Sequence, residues 1–285
     1  MERPVNKRNR PQLGQNFLVS PTAQTAIADA LGDVSQRTVV EIGPGLGAIT
    51  RILAHRARRL LAIELDAALA AQLQADFSGQ PAVTILRQNI LATDLAALRS
   101  DPDDKLFIAG NLPYYITSDI LLHLFAAHRV VERAVVMIQR EVADRVAAQP
   151  GSRDYGLLSV TAQLYARTEK LFTLPPGAFS PPPQVHSTVL RLTMEPRLEE
   201  LRLVPTPEQP DPVTSFLQFL RICFAQKRKT LANNLRAAGH SAESAAAALA
   251  GCDLPPQSRA EQLDLPTLAS LYRRFEHPGR RPAFR

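Results

Sequence analysis

Apolar residues recur along the chain in two rhythms. Short, nearly continuous apolar runs appear at "RTVVEIG" (37–43), "RLLAIELD" (59–66), "AVTILRQN" (82–89), "KLFIAG" (105–110) and "RAVVMIQ" (133–139). Such runs predict strands buried on both faces. Between them, "GAITRILAHRA" (47–57), "AALAAQLQADF" (67–77) and "SDILLHLF" (118–125) have helical spacing. Strands alternating with helices predict a doubly wound parallel sheet. Ahead of them, "SPTAQTAIADALG" carries Ser20 as N-cap, Pro21 at the first helical position and Gly32 as a stop. After them, "REVADRVAA" and "GLLSVTAQLYA" read as helices. "KLFTL" and "STVLRLTM" read as late strands joined by the Pro-rich "PPGAFSPPPQVH".

The rhythm stops at "EPRLEELRLVPTPEQPDP" (195–212), which reads as a linker. Beyond it, "VTSFLQFLRICFAQKRKTLANNLRAAG" and the Ala-rich segment that follows are helical throughout. The expected organisation is a basic arm over 1–12, an α/β domain over 13–200 and a small all-α domain over 201–285.

Composition changes this picture little, and charge changes it more. Of 285 residues 45% are apolar, enough for a substantial core. No apolar run reaches the roughly 18 residues of a membrane span, and the basic N-terminus lacks the apolar stretch of a secretory signal. Cys223 and Cys252 are the only cysteines and share no metal spacing, so a reduced, cytoplasmic enzyme without a metal is expected. The net charge of +6 is uneven: +3 over residues 1–16, −2 in the middle and +5 over 201–285. Cationic ends point to a polyanionic partner.

"VVEIGPGLGAIT" places Gly43, Gly45 and Gly47 directly after a strand. Glycines there let the backbone turn sharply and approach a ligand at the carboxyl edge of the sheet. Glu64 ends the next strand, where an acidic residue can bind a ribose diol. This combination predicts a nucleoside-containing cofactor, with NAD and S-adenosylmethionine both open.

"GNLPYYI" (110–116) follows the "KLFIAG" strand, at the same edge. Pro113 pushes Leu112 out of the helical region, which can turn the Leu112 carbonyl toward a ligand. Asn111 adds an amide oxygen, and Tyr114 a flat face. Thr117 or Ser118 can cap the next helix, which leaves Asn111 spare. Two acceptors and a stacking face suit an exocyclic amine on a heterocycle. Accepting both N–H bonds of adenine N6 frees its lone pair and stabilises the charge that develops as a methyl arrives. Tyr115 has no assigned role and reads as packing.

These segments resemble the small-subunit ribosomal RNA adenine N6,N6-dimethyltransferases of the KsgA type. "GQNFL" (14–18), "VEIGPGLGAIT" (40–50), "IELD" (63–66), "GNLPYYI" (110–116), "MIQREVADR" (137–145), "YGLLSV" (155–160), "AFSPPPQVHSTVLRL" (178–192) and "KRKTLANNL" (227–235) follow the family order. The resemblance implies a Rossmann-like class I methyltransferase domain with a small all-α C-terminal domain, and S-adenosyl-L-methionine as cofactor. By position, Asn16 and Leu18 would close over the cofactor. Gly43 and Gly45 would line it, Glu64 would hold its ribose and Asn111 would also contact it. Asn89 stands where the family commonly has an Asp against the cofactor adenine. This departure keeps an acceptor and loses a charge. Asn111, Leu112 and Pro113 would hold the target amine, with Tyr114 and Phe179 as the two walls of an aromatic sandwich. "QVHS" (184–187) also departs from the family pattern, and His186 is given no catalytic role.

The resemblance further implies two adjacent adenines in the hairpin loop near the 3′ end of 16S rRNA, each methylated twice, on an immature small subunit. Lys7, Arg8, Arg10, Arg221, Lys227, Arg228 and Lys229 form the expected phosphate-binding surface. DNA and membranes are not expected as partners, and a monomer is the default. The rival readings are a macrolide-resistance methyltransferase of large-subunit rRNA, a non-catalytic ribosome assembly factor and a dinucleotide-dependent dehydrogenase.

Overall fold

A computed structural model of the chain describes residues 16–276. The apolar runs become β2 (Thr38–Ile42), β3 (Arg59–Glu64), β4 (Val83–Arg87), β5 (Leu106–Asn111) and β6 (Val131–Gln139). Earlier in the chain lie β1 (Phe17–Leu18) and α1 (Pro21–Ala30). The helices between the strands are α2 (Thr50–Leu53), α3 (Ala67–Asp76) and α4 (Thr117–Ala126). Then come α5 (Arg140–Val146), α6 (Leu157–Tyr165), β7 (Ala166–Leu174), β8 (Phe179–Ser180) and β9 (Ser187–Met194). Four further helices follow: α7 (Pro212–Cys223), α8 (Leu231–Ala237), α9 (Ala242–Gly251) and α10 (Leu265–Glu276).

Seven strands form one sheet in the order β4-β3-β2-β5-β6-β9-β7. β2 through β6 pair in parallel, as their apolar runs predict. β9 runs antiparallel to β6, so the sheet is mixed rather than wholly parallel. The chain leaves β2 toward β3 on one side and returns to β5 on the other. That reversal opens a crevice at the carboxyl ends of the strands, where α/β sheets bind ligands.

Helix α1 starts where its signals place it. The Ser20 hydroxyl accepts from Ala23 N at 3.4 Å, and Gly32 follows at φ 81°. Its Ile27 and Ala28 pack with Leu53, Val39, Leu60 and Phe107 in the core on one face of the sheet. Helix α2 is much shorter than the periodic stretch from 47 to 57, because residues up to Ala57 continue as turns rather than as a regular helix.

By contact density the described residues divide into two compact units, one up to 143 with 169–194, the other 144–168 with the residues from 195 onward. This differs from a contiguous division near residue 200. Segment 144–168, which contains α6, joins the second unit. There Tyr155 is fully buried, its hydroxyl donates to the Leu263 carbonyl at 3.0 Å, and its ring meets Phe224 edge-on. These contacts are remote in sequence, so local periodicity does not announce them.

Candidate active site

Period-2 alternation brings the site's polar groups to one face of the sheet. Glu41 stands opposite Ala62 and Ala109. Two residues further along their strands, Glu64 and Asn111 end β3 and β5 on that same face. The chain between β2 and α2 turns over them through Gly43, Gly45 and Gly47, at φ 65°, 59° and 77°. A side chain at Gly45 would meet the Phe17 ring at 3.0 Å. Glycine there serves both the left-handed backbone and the close approach.

Glu64 is 3% exposed and ties two backbone turns together. One carboxylate oxygen accepts from Gly45 N at 3.2 Å, the other from Asp66 N at 2.9 Å. A carboxylate has about four acceptor positions, so a diol can still be bound. Asn89 Oδ1 accepts from Leu91 N at 3.0 Å and so caps the short turn after β4. One acceptor position of that oxygen remains.

Asn111 Nδ2 donates to the Asn16 carbonyl at 2.9 Å. A carbonyl can only accept, so this bond fixes which end of the amide faces away. Among the described residues no donor reaches Asn111 Oδ1 or the Leu112 carbonyl. Leu112 is 1% exposed and its N–H donates to the Met137 carbonyl at 3.0 Å, which holds the backbone rigidly at this point. Pro113 has φ −60° and ψ 128° and starts a 3-10 turn over Tyr114–Ile116. The Thr117 hydroxyl donates to the Pro113 carbonyl at 2.9 Å instead of capping α4, which begins without a side-chain cap.

The Tyr114 hydroxyl and Ser187 Oγ lie 2.7 Å apart. Burial raises the Tyr114 phenol above its ordinary value, and the Ser187 hydrogen bond works against this. Tyr114 is therefore a neutral phenol at physiological pH and cannot act as a strong base. Behind the glycines, Glu41 is 2% exposed and its Oε2 has no hydrogen-bond partner among the described residues. Burial pushes its carboxyl up to about 7, Thr50 opposes this and the Glu64 carboxylate adds to it.

At these strand ends lies a cleft of about 800 Å³, counting its open mouth. Asn16, Gly43, Gly45, Glu64, Asn89, Asn111, Leu112, Pro113 and Tyr114 all border it. Leu18 and Phe179 do not. They are 5% and 3% exposed, belong to the core and face each other across the β1–β8 pair. Phe17, Gln88, Ile90 and Tyr115 also line the cleft. Phe17 sits inside a sequence motif but points the opposite way from Leu18, as strand alternation requires. Tyr115 is 60% exposed, so it is not a packing residue. The residues present fit an adenosine-bearing cofactor: a floor without side chains, an acidic strand end and a second acceptor at Asn89.

Comparison with known proteins settles the family. The family described as "Ribosomal RNA adenine dimethylase" matches residues 6–263. The chain belongs to that family. A "Ribosomal RNA small subunit methyltransferase A" of Acidobacterium capsulatum is 57% identical over 272 residues, covering 95% of this chain and 93% of its own. The protein of the same name from Koribacter versatilis is 51% identical, covering 94% and 96%. Among solved structures, a Plasmodium falciparum dimethyladenosine transferase superposes with a TM-score of 0.75 at 23% identity, covering 92% of this chain and 98% of that one. The 23S rRNA methyltransferase ErmE superposes at 0.65, also at 23% identity, covering 92% and 100%. At that identity both share the fold alone. The chain is thus a ribosomal RNA adenine dimethylase with a Rossmann-like domain and a helical C-terminal region.

The described residues of the expected phosphate-binding surface do not line the cleft. Arg221 lies in the last turn of α7, and Lys227, Arg228 and Lys229 are exposed in the turn before α8. Lys227 Nζ donates to the Arg153 carbonyl. Lys7, Arg8 and Arg10 lie outside the described residues.

Proposed function

We propose that this dimethylase transfers methyl groups to N6 of two adjacent adenines in the 3′-terminal hairpin loop of 16S rRNA, giving N6,N6-dimethyladenosine. One observation carries the reading. Asn111 and Leu112, whose Oδ1 and carbonyl are acceptors without donors among the described residues, border with Tyr114 a cleft that Gly43 and Gly45 also line. The relatives at 57% and 51% identity carry the small-subunit name, which favours this substrate over a large-subunit adenine.

Bound in the cleft, S-adenosylmethionine supplies an electrophilic methyl on a sulfonium. Gly43 and Gly45 would admit it, Glu64 would accept from its ribose hydroxyls and Asn89 from its adenine. Asn111 and Leu112 would accept both N6 hydrogens of the target, aiming the amine and drawing its lone pair out of the ring. The same two acceptors would stabilise the positive charge that develops on nitrogen. The methylated ammonium is acidic enough to lose its proton without a strong base, which agrees with the neutral Tyr114. A monomethylated amine keeps one N–H, so one acceptor suffices in the second transfer. Tyr114 would stack on the extruded base, since only an unpaired or flipped adenine can enter.

Arg221, Lys227, Arg228 and Lys229, with the N-terminal cations, would contact phosphates of an immature small subunit. We place the reaction in the cytoplasm, with a monomeric enzyme. Among the described residues no helix is long and apolar enough to cross a membrane. Transfer of labelled methyl to immature small subunits, followed by nucleoside analysis, tests the reading. Absence of N6,N6-dimethyladenosine in the wild-type reaction overturns it.

A further inference from the structure

Tyr115 is the most exposed large hydrophobic side chain among the described residues, at 60%, and it lines the cleft. Single apolar side chains on a surface need no explanation. This one stands beside the residue proposed to stack on the target base, on a segment held in place at both ends. Pro113 fixes the entry, and Ile116 N donates to the Pro113 carbonyl at 3.3 Å to close the turn.

A 3-10 turn has 3.0 residues per turn, so adjacent side chains diverge by about 120°. Tyr114 turns its hydroxyl to Ser187 and is half-buried. Tyr115 therefore points elsewhere, and no hydrogen bond among the described residues engages its hydroxyl. An aromatic ring loses little freedom when it binds, because it has only two side-chain torsions.

We propose that Tyr115 is a stacking residue for the substrate, and that its ring receives the nucleobase next to the target adenine. The inference rests on the adenine reading above. A base that leaves its stack uncovers one face of its neighbour, and that exposure opposes extrusion. An aromatic ring at the mouth of the cleft covers that face. Stacking does not read hydrogen bonds, so the ring accepts an adenine before or after methylation. With two adjacent target adenines, one can enter the cleft while the other rests on Tyr115.

The test measures kcat/KM for methyl transfer to immature small subunits by wild type, Tyr115→Phe, Tyr115→Leu and Tyr115→Ala. Cofactor affinity of each is measured by calorimetric titration of S-adenosylmethionine. A lost base–aromatic stack lowers kcat/KM about tenfold in Ala and Leu. Phe matches wild type, because a ring suffices, and all four bind the cofactor equally. Wild-type kcat/KM in the Ala variant overturns the proposal. So does rescue by Leu, which would indicate a greasy cover rather than a stack. A fall in cofactor affinity overturns it too, since it assigns Tyr115 to the cofactor wall. If the wild type makes no dimethyladenosine, the adenine reading itself has failed, and that outcome is visible before any variant is compared.

Discussion

Asn111 shows how much one hydrogen bond can decide. Its amide could face either way, and the bond to the Asn16 carbonyl at 2.9 Å leaves the oxygen without a donor among the described residues. Asn111→Ala is expected to lower methyl transfer about a hundredfold or more, since it removes an acceptor aimed at developing charge. The fold should lose only about 1 kcal/mol with that hydrogen bond. Single-turnover rates and urea midpoints together check this. At Asn89 the missing charge can be restored. Asn89→Asp keeps the cap to Leu91 and would strengthen the proposed adenine contact, so S-adenosylmethionine should bind about fivefold tighter by calorimetry. Glu41 gives a pH signature. Its folded carboxyl titrates at about 7 against 4.5 in the unfolded chain, so the folded state holds the proton longer. Stability should therefore fall as pH rises from the ordinary value toward 7 and level off above it, by roughly 3 kcal/mol. Urea midpoints at acid and neutral pH should differ in wild type and converge in Glu41→Gln.

At the scale of elements, the site depends on how closely β2 and β5 approach. A Cβ at Gly110 would lie 2.7 Å from the Ile42 carbonyl oxygen, which is backbone of the neighbouring strand. That atom cannot swing aside. Gly110→Ala is expected to cost about 1–3 kcal/mol and to lower the thermal midpoint, with Asn111 displaced along with its strand. The glycine, acidic and Asn-Leu-Pro-Tyr motifs were legible because each lies at the end of a strand, and strand ends at one edge must converge. The β1–β8 pair was not legible. Two-residue strands paired across more than half of the chain leave no periodic trace, yet this pairing puts Leu18 and Phe179 in the core and Phe17 beside the cleft.

For the whole molecule, the charge surplus is the feature that composition reports most directly. Arg228 and Lys229 stand exposed before the N-terminus of α8, whose helix dipole adds to their field. Replacing both by Ala is expected to reduce the salt dependence of small-subunit binding by about two units of log–log slope. Cofactor affinity should not change. Lys227 is a poorer test, because its Nζ also holds the turn at Arg153, and its removal mixes structure with charge.

The sequence by itself determined the alternating strands and helices, the family and the motifs that stand at the strand ends. Apolar periodicity and turn chemistry are local, and a buried parallel sheet leaves few other arrangements. Tertiary structure decided which end of the Asn111 amide is engaged, that Glu64 braces the glycine loop, that segment 144–168 joins the second unit and that Phe179 is core. It also decided that Tyr115 stands in the open. Each of these depends on a partner distant in sequence or on which way a turn aims a side chain, and neither is written in the spacing of residues.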